Sequence, residues 1–193
     1  MEQRTAYLKA VLGQFPFGMP EDEQLNFASL FHEKIYKKGD HLIEVGEKSS
    51  FIGFITSGLV RFYFITSEGK EFNQTFKKEN HLIADHYSLY TDRPTIFSIQ
   101  ALEDTTVLVA NYQDVKKFYD KHRGWERMGR LILEENFVIK AERENELLTL
   151  NADERFKKFQ ERFKDFGSRI SQKDIALYLG VNPSTLNRMI KRK

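Results

Sequence analysis

The spacing of apolar residues changes character along the chain, and each change predicts a different kind of element. Within residues 1–32, Tyr7, Leu8, Val11 and Leu12, then Leu25, Phe27, Ala28, Leu30 and Phe31, recur at helical intervals, with Pro16, Gly18 and Pro20 between the two groups. Two short helices are expected there, capping the neighbouring domain. From Glu33 to about Ala110 the pattern becomes a series of short β-rich runs: KIYKKGD, HLIEVGEK, FIGFITSG, LVRFYFITSEGK, EFNQTFKK, TIFSIQALE and TTVLVANY. Gly39-Asp40, Gly46, Ser57-Gly58 and Glu68-Gly69 punctuate them, where tight turns call for a residue that enters positive φ without steric cost. Short strands at this spacing predict an all-β sandwich or barrel.

After Tyr112 the helical period returns. Asp114 to Lys121 reads as a short helix. Trp125 to Leu150 reads as a long one with no proline, about 40 Å from end to end at 1.5 Å per residue. Its apolar positions Met128, Leu131, Ile132, Val138, Ile139 and Ala141, resuming at Leu147 and Leu148, recur at roughly heptad spacing among charged residues. That stripe is longer than one small barrel covers. Met128, Leu131, Ile132, Val138 and Ile139 are therefore the expected interface of a homodimer, the alternative being a helix packed only on its own barrel.

The last stretch, ISQKDIALYLGVNPSTLNRMIKRK, carries the most specific local signals. Ser171 followed by Asp174 fits a helix start, and Ile175, Ala176 and Leu179 give that helix an apolar face. Gly180 stands where the chain must leave it in a left-handed turn. Asn182 is a good N-cap, and Pro183 occupies a first helical position, where its missing N–H costs nothing. Leu186, Met189 and Ile190 are expected to face inward. Two helices joined by about three residues form a helix-turn-helix. Asn182, Ser184, Thr185, Asn187, Arg188, Lys191 and Arg192 are left outside, residue types suited to base edges and phosphates.

Charge sharpens this division. Residues 1–150 hold 19 Lys/Arg against 23 Asp/Glu, a net of −4, whereas residues 151–193 hold 11 against 5, a net of +6. A small basic module thus adjoins a mildly acidic body, and phosphate neutralisation is the main source of non-specific nucleic-acid affinity. The expected domains are 1–112, a sensor barrel with its N-terminal helices; 113–150, connecting and dimerisation helices; and 151–193, a DNA-binding head.

Other chemistry is excluded or thin. With no cysteine, disulfides, cysteine-ligated clusters and thiol sensing are ruled out. No apolar run is long enough to cross a bilayer and MEQRTAYLKAVLG lacks the marks of a leader, so the expected location is the cytoplasm, with no membrane partner. His81, Asp85 and His86 lie close in sequence, with His32, His41 and His122 elsewhere, but scattered histidines do not make a metal site, and none is expected. No catalytic motif stands out, so no enzymatic activity is expected.

From about Tyr36 to Lys191 the chain resembles the Crp/Fnr superfamily of bacterial regulators. The likeness is carried by YKKGDHLIEVGE, FITSGLVRFYF, the turn SEGKE, IQALEDTTVL, the long helix and IALYLGVNPSTLNRMIK. It implies an α+β fold: a cyclic-nucleotide-binding type jelly roll with flanking helices, a long dimerisation helix and a C-terminal reading head. The partners it implies are double-stranded DNA with an inverted-repeat site, a second copy of the chain, and RNA polymerase as a candidate further partner. Two departures qualify it. In members that bind cyclic AMP, a Gly-Glu pair and an Arg-Ser pair ten residues further on hold the ligand; here those positions are Ala84-Asp85 and Thr95-Ile96. Asp85 retains an acceptor, and Arg93 stands two residues early, but the phosphate arginine is missing. An effector pocket around Ala84, Asp85, Arg93, Thr95 and Ile96 is therefore expected to take a small molecule or nucleotide other than cyclic AMP. In addition, many relatives continue past the recognition helix into a β-hairpin wing, where this sequence stops at Lys193; a head without a full wing is expected, with Lys191, Arg192 and Lys193 making up phosphate contacts. Within the chain, Arg188 is the expected base reader, Asn187 and Ser184 assist, and Asn182, Thr185, Lys191 and Arg192 position the backbone. The competing reading is a ligand-binding sensor that acts through protein contacts, its last helices serving only to dock.

Overall fold

Turns at Gly39, Gly46, Gly58 and Gly69, all at positive φ, separate strands that the computed structural model, describing residues 2–191, pairs into two four-stranded antiparallel sheets. One places β1 (His32–Tyr36), β8 (Thr105–Asn111), β3 (Phe51–Ser57) and β6 (Leu82–Ala84) side by side. The other orders β2 (His41–Ile43), β7 (Ser98–Ala101), β4 (Val60–Ile65) and β5 (Glu71–Lys77). Apart from β4 and β5, neighbouring strands are far apart in the sequence, which makes the barrel a jelly roll. Ile43, Ile55, Val60, Ile83, Ile99 and Val107 fill the space between the sheets, and each such side chain contributes about 1.5–3 kcal/mol by leaving water.

Gly58, at the β3–β4 turn, has φ +109°, and a Cβ there would lie 2.6 Å from the Thr105 Cα. Gly58→Ala is therefore expected to cost roughly 2–4 kcal/mol through backbone strain and overlap. Thermal denaturation should show a clearly lower midpoint, and an unchanged midpoint would refute this view of the turn.

Against the outer face of the first sheet pack α1 (Glu2–Leu12), α2 (Glu21–Ser29), α4 (Tyr112–Lys116) and the start of α5 (Arg123–Thr149). Phe27 stacks on Trp125 with ring centroids 4.6 Å apart, and the Trp125 indole N–H donates to Glu23 at 2.7 Å. The helical spacing of residues 1–32 thus does cap the barrel. Met128, in contrast, is only 5% exposed, inside this same cluster, and Ile132 packs on it. This corrects the placing of Met128 in a subunit interface: its own domain covers it. The stripe emerges further along, with Phe137 71%, Val138 54% and Leu148 79% exposed.

Three elements escape the sequence pattern. β6 and α3 (His86–Thr91) are too short to show a period, and α6 (Ala152–Arg162) has its own capping box between Asn151 and Glu154. The buried face of α6 continues through Phe156, Phe159, Phe163 and Phe166. With Tyr178, Leu179 and Leu186 it forms a core shared with Leu59 and Phe76 of the barrel, so the C-terminal head sits against β5. A polar network lies under this junction. Arg61, 6% exposed, donates to Glu71 at 2.6 Å, Gln100 at 2.9 Å and Asp174 at 3.5 Å, while the Asn73 amide donates to the Asp174 carbonyl at 3.0 Å. At the rim, Arg169 donates to both Glu79 oxygens at 3.0 and 2.9 Å and reaches Glu103 as well. The guanidinium holds the Glu79 carboxyl down to about 2, helped by the Gly58 N–H.

Candidate DNA interface and effector cavity

The head is assembled by local rules. The Ser171 hydroxyl accepts from the Asp174 N–H at 3.1 Å to start α7 (Gln172–Leu179). Gly180 ends it at φ 68°, ψ 32°, in the left-handed region that glycine enters without penalty. Asn182 then caps α8 (Pro183–Lys191), its side-chain oxygen accepting from the Thr185 N–H at 2.8 Å and the Ser184 hydroxyl at 2.8 Å. Ala176, Leu186 and Met189 are buried. Ile190, expected inside, is 38% exposed at the edge of the apolar face.

Although the head is docked, the outer face of α8 is open. Asn182, Ser184, Asn187, Arg188 and Lys191 are exposed and Thr185 is half-buried. The Arg188 guanidinium rests on the Thr185 hydroxyl at 3.3 Å. No acidic residue lies in α8, so nothing on its own surface repels a phosphate. Arg192 and Lys193 lie outside the described residues.

A second feature was not legible in the sequence. Between β4, β5, the middle of α5 and the Phe163–Phe166 turn of the head lies a cavity of about 260 Å³. Phe62, Phe97, Phe163, Phe166 and Ile139 supply its apolar wall, and Lys77, Lys140, Arg143, Arg162, His81 and His86 its polar one. Among the described residues, no carboxylate lines it. Lys77 donates to the Leu82 carbonyl at 2.9 Å and the Asn136 amide oxygen at 3.2 Å, both neutral. Burial pushes its ammonium down to about 8, with nearby Lys140 acting in the same direction and Glu135 against it. Burial likewise takes His86 down to about 4, reinforced by Lys77 and Lys140, so its ring is neutral at pH 7.

Residues 33–122 match the cyclic nucleotide-binding domain family. The matched span covers the eight strands of the barrel and α3 and α4. No curated protein matches the sequence, but solved structures share the fold over nearly the whole chain. FixK2 from Bradyrhizobium japonicum is similar at TM-score 0.75 and 19% identity, over 84% of this chain and 83% of that one. A transcriptional regulator assigned to the Crp/Fnr family in Eubacterium rectale gives TM-score 0.73 and 16% identity, over 93% and 87%. The catabolite activator protein of Thermus thermophilus gives 0.56 and 19%, over 91% and 84%. The chain therefore has the Crp/Fnr fold. No helix among the described residues is long and apolar enough to cross a membrane.

The barrel departs from what the matching family's name implies at the ligand segment. Of the five pocket residues expected from the resemblance, only Ala84 lines the cavity. Asp85 is fully buried and caps α3 through the Ser88 N–H at 3.2 Å. Thr95 is buried and donates to the Phe97 carbonyl at 3.0 Å. Arg93 is exposed, and Ile96 is 51% exposed. Asp85, Arg93, Thr95 and Ile96 thus belong to the frame or the surface, and the segment does not fit a cyclic phosphate. The cationic groups come instead from β5, α5 and α6.

Proposed function

We propose that the protein is a homodimeric, sequence-specific DNA-binding transcription regulator of the Crp/Fnr type. It acts in the cytoplasm, has RNA polymerase as its downstream partner, and is controlled by a small effector other than cyclic AMP. The observation that carries the reading is the open, carboxylate-free face of α8 on a head otherwise packed against the barrel. Arg188 is assigned to a base edge, with Asn187 and Ser184 assisting. Asn182, Thr185, Lys191 and Arg192 are assigned to phosphates. The exposed Phe137, Val138 and Leu148 on α5 support pairing of two copies, joined by Leu131 and Ile139 from the sequence pattern.

The test is recovery of sheared genomic DNA by the purified protein at 50 and 200 mM salt. A regulator retains a small set of fragments sharing an inverted repeat. With some 6–10 phosphate contacts, its affinity should fall about 10³–10⁵-fold between those salt concentrations. No recovery at either concentration would make the head a protein-docking element instead, and indiscriminate recovery would contradict sequence-specific reading.

A further inference from the structure

Two kinds of contact hold the head to the barrel, with different consequences. Phe76 of β5 meets the rings of Phe159, Phe163 and Tyr178 at centroid distances of 6.4, 5.4 and 5.8 Å. Apolar packing of this kind is non-directional, so it keeps the head on the barrel without fixing its angle. The polar network beneath it is directional. Arg61 is gripped on the barrel side, its guanidinium 4.0 Å over the Tyr63 ring and donating to Glu71 and Gln100. Gln100 is itself tied to the Gly39 carbonyl at 2.9 Å. The Arg61 Nη1 reaches Asp174 at 3.5 Å and also donates to the Asn73 side-chain oxygen at 3.3 Å. That second bond turns the Asn73 amide nitrogen towards the head, where it donates to the Asp174 carbonyl at 3.0 Å and the Asp174 carboxylate at 3.3 Å. All three residues are buried. On the head side the Asp174 carboxylate accepts from the Ser171 hydroxyl at 2.5 Å, and the Asp174 N–H donates back to that oxygen. The residue that meets the barrel is thus also the one that fixes the first turn of α7. The Arg169 pairs at the rim are partly open to water, which screens them and leaves them little hold on the angle.

We propose that Arg61 and Asn73 of the barrel are positioning residues: through Asp174 they set the angle at which α7 leaves the barrel, so that head and barrel turn as one body. A buried, hydrogen-bonded charge pair adds little to stability over apolar packing but does select one arrangement. Because α7 carries α8 across the Gly180 turn, the direction of the α8 outer face follows from this lock. Its consequence for DNA reading rests on the regulator reading; the lock itself does not.

The experiment is double electron–electron resonance on the full chain. The sequence has no cysteine, so Lys116→Cys on α4 and Lys157→Cys on α6, both at exposed positions, place one spin label on the barrel and one on the head. Labelled chains are diluted with unlabelled ones so that only distances within a chain are read. This parent should give a single narrow distance distribution. Asn73→Asp keeps the size of the side chain but sets a second carboxylate against Asp174, and should broaden the distribution. Arg61→Met should broaden it too, and should lower the thermal midpoint by about 6–20 °C, since Asp174 is left buried without its charge partner. Arg61→Met combined with Asp174→Leu separates positioning from stability and decides the matter should either single variant fail to fold. With apolar side chains in place of the pair, the midpoint should recover most of that loss. The distribution should nevertheless stay broad, and affinity for a recovered DNA fragment should stay about tenfold or more below the parent, because binding must then order both heads. A broad distribution in the parent, or a narrow one in the double variant, overturns the proposal. DNA affinity that recovers together with the midpoint makes the role merely structural and overturns it too. A parent that selects no DNA, yet gives a narrow distribution that broadens in the variants, sinks the regulator and spares the lock; selective DNA binding by a parent whose distribution is broad does the reverse.

Discussion

Arg188→Ala is expected to erase the protein's preference between its operator and unrelated DNA while leaving fold and assembly untouched. A bidentate arginine–guanine pair discriminates by about 1–3 kcal/mol, roughly 5–150-fold per half-site. A dimer uses it twice, so operator affinity should fall about 30-fold to 2 × 10⁴-fold, towards the level for scrambled DNA. The side chain is exposed and its hydrogen bond to Thr185 is long, so thermal stability should not move. Fluorescence anisotropy on matched and scrambled duplexes measures both affinities. Lys191→Ala is the contrast: removing a phosphate partner should weaken both duplexes alike. Full retention of preference in Arg188→Ala would show that another residue reads the bases.

The second large effect concerns assembly. Phe137 and Leu148 stand eleven residues apart, three turns along α5, and so share one face; they are 71% and 79% exposed. Phe137→Glu combined with Leu148→Glu places like charges opposite their symmetry mates and should convert a dimer to a monomer in sedimentation velocity. The barrel should stay folded, because neither side chain contributes to its core. Losing the second half-site removes an intramolecular binding event, so operator affinity should drop about 10²–10⁴-fold. A double variant that remains dimeric would move the interface elsewhere.

How far these features are legible in the sequence depends on how local their causes are. The reading head is legible because a cap, a left-handed glycine and a first-turn proline act within a few residues of Ser171, Gly180 and Pro183. The barrel is legible through its turn glycines and β-rich runs, except for β6 and α3, which are shorter than any period. The docking of the head is not legible. Arg61, Asn73 and Asp174 meet across more than one hundred residues, and each reads separately as an ordinary polar position. For the same reason the cavity is hidden: Lys77, Arg143 and Arg162 look like solvated charges until β5, α5 and α6 come together. Met128 shows the converse. A heptad-like pattern reveals that a stripe is covered, but not by what, and α2 and α4 of the same chain cover this part of it.

At the centre of the proposed function, two copies of α8 enter successive major grooves of one duplex. Hydroxyl-radical footprinting of the purified protein on a recovered fragment tests this most directly. Two protected patches are expected, related by a dyad and about 34 Å apart, one turn of the double helix. A single patch, or even protection along the whole fragment, would contradict it.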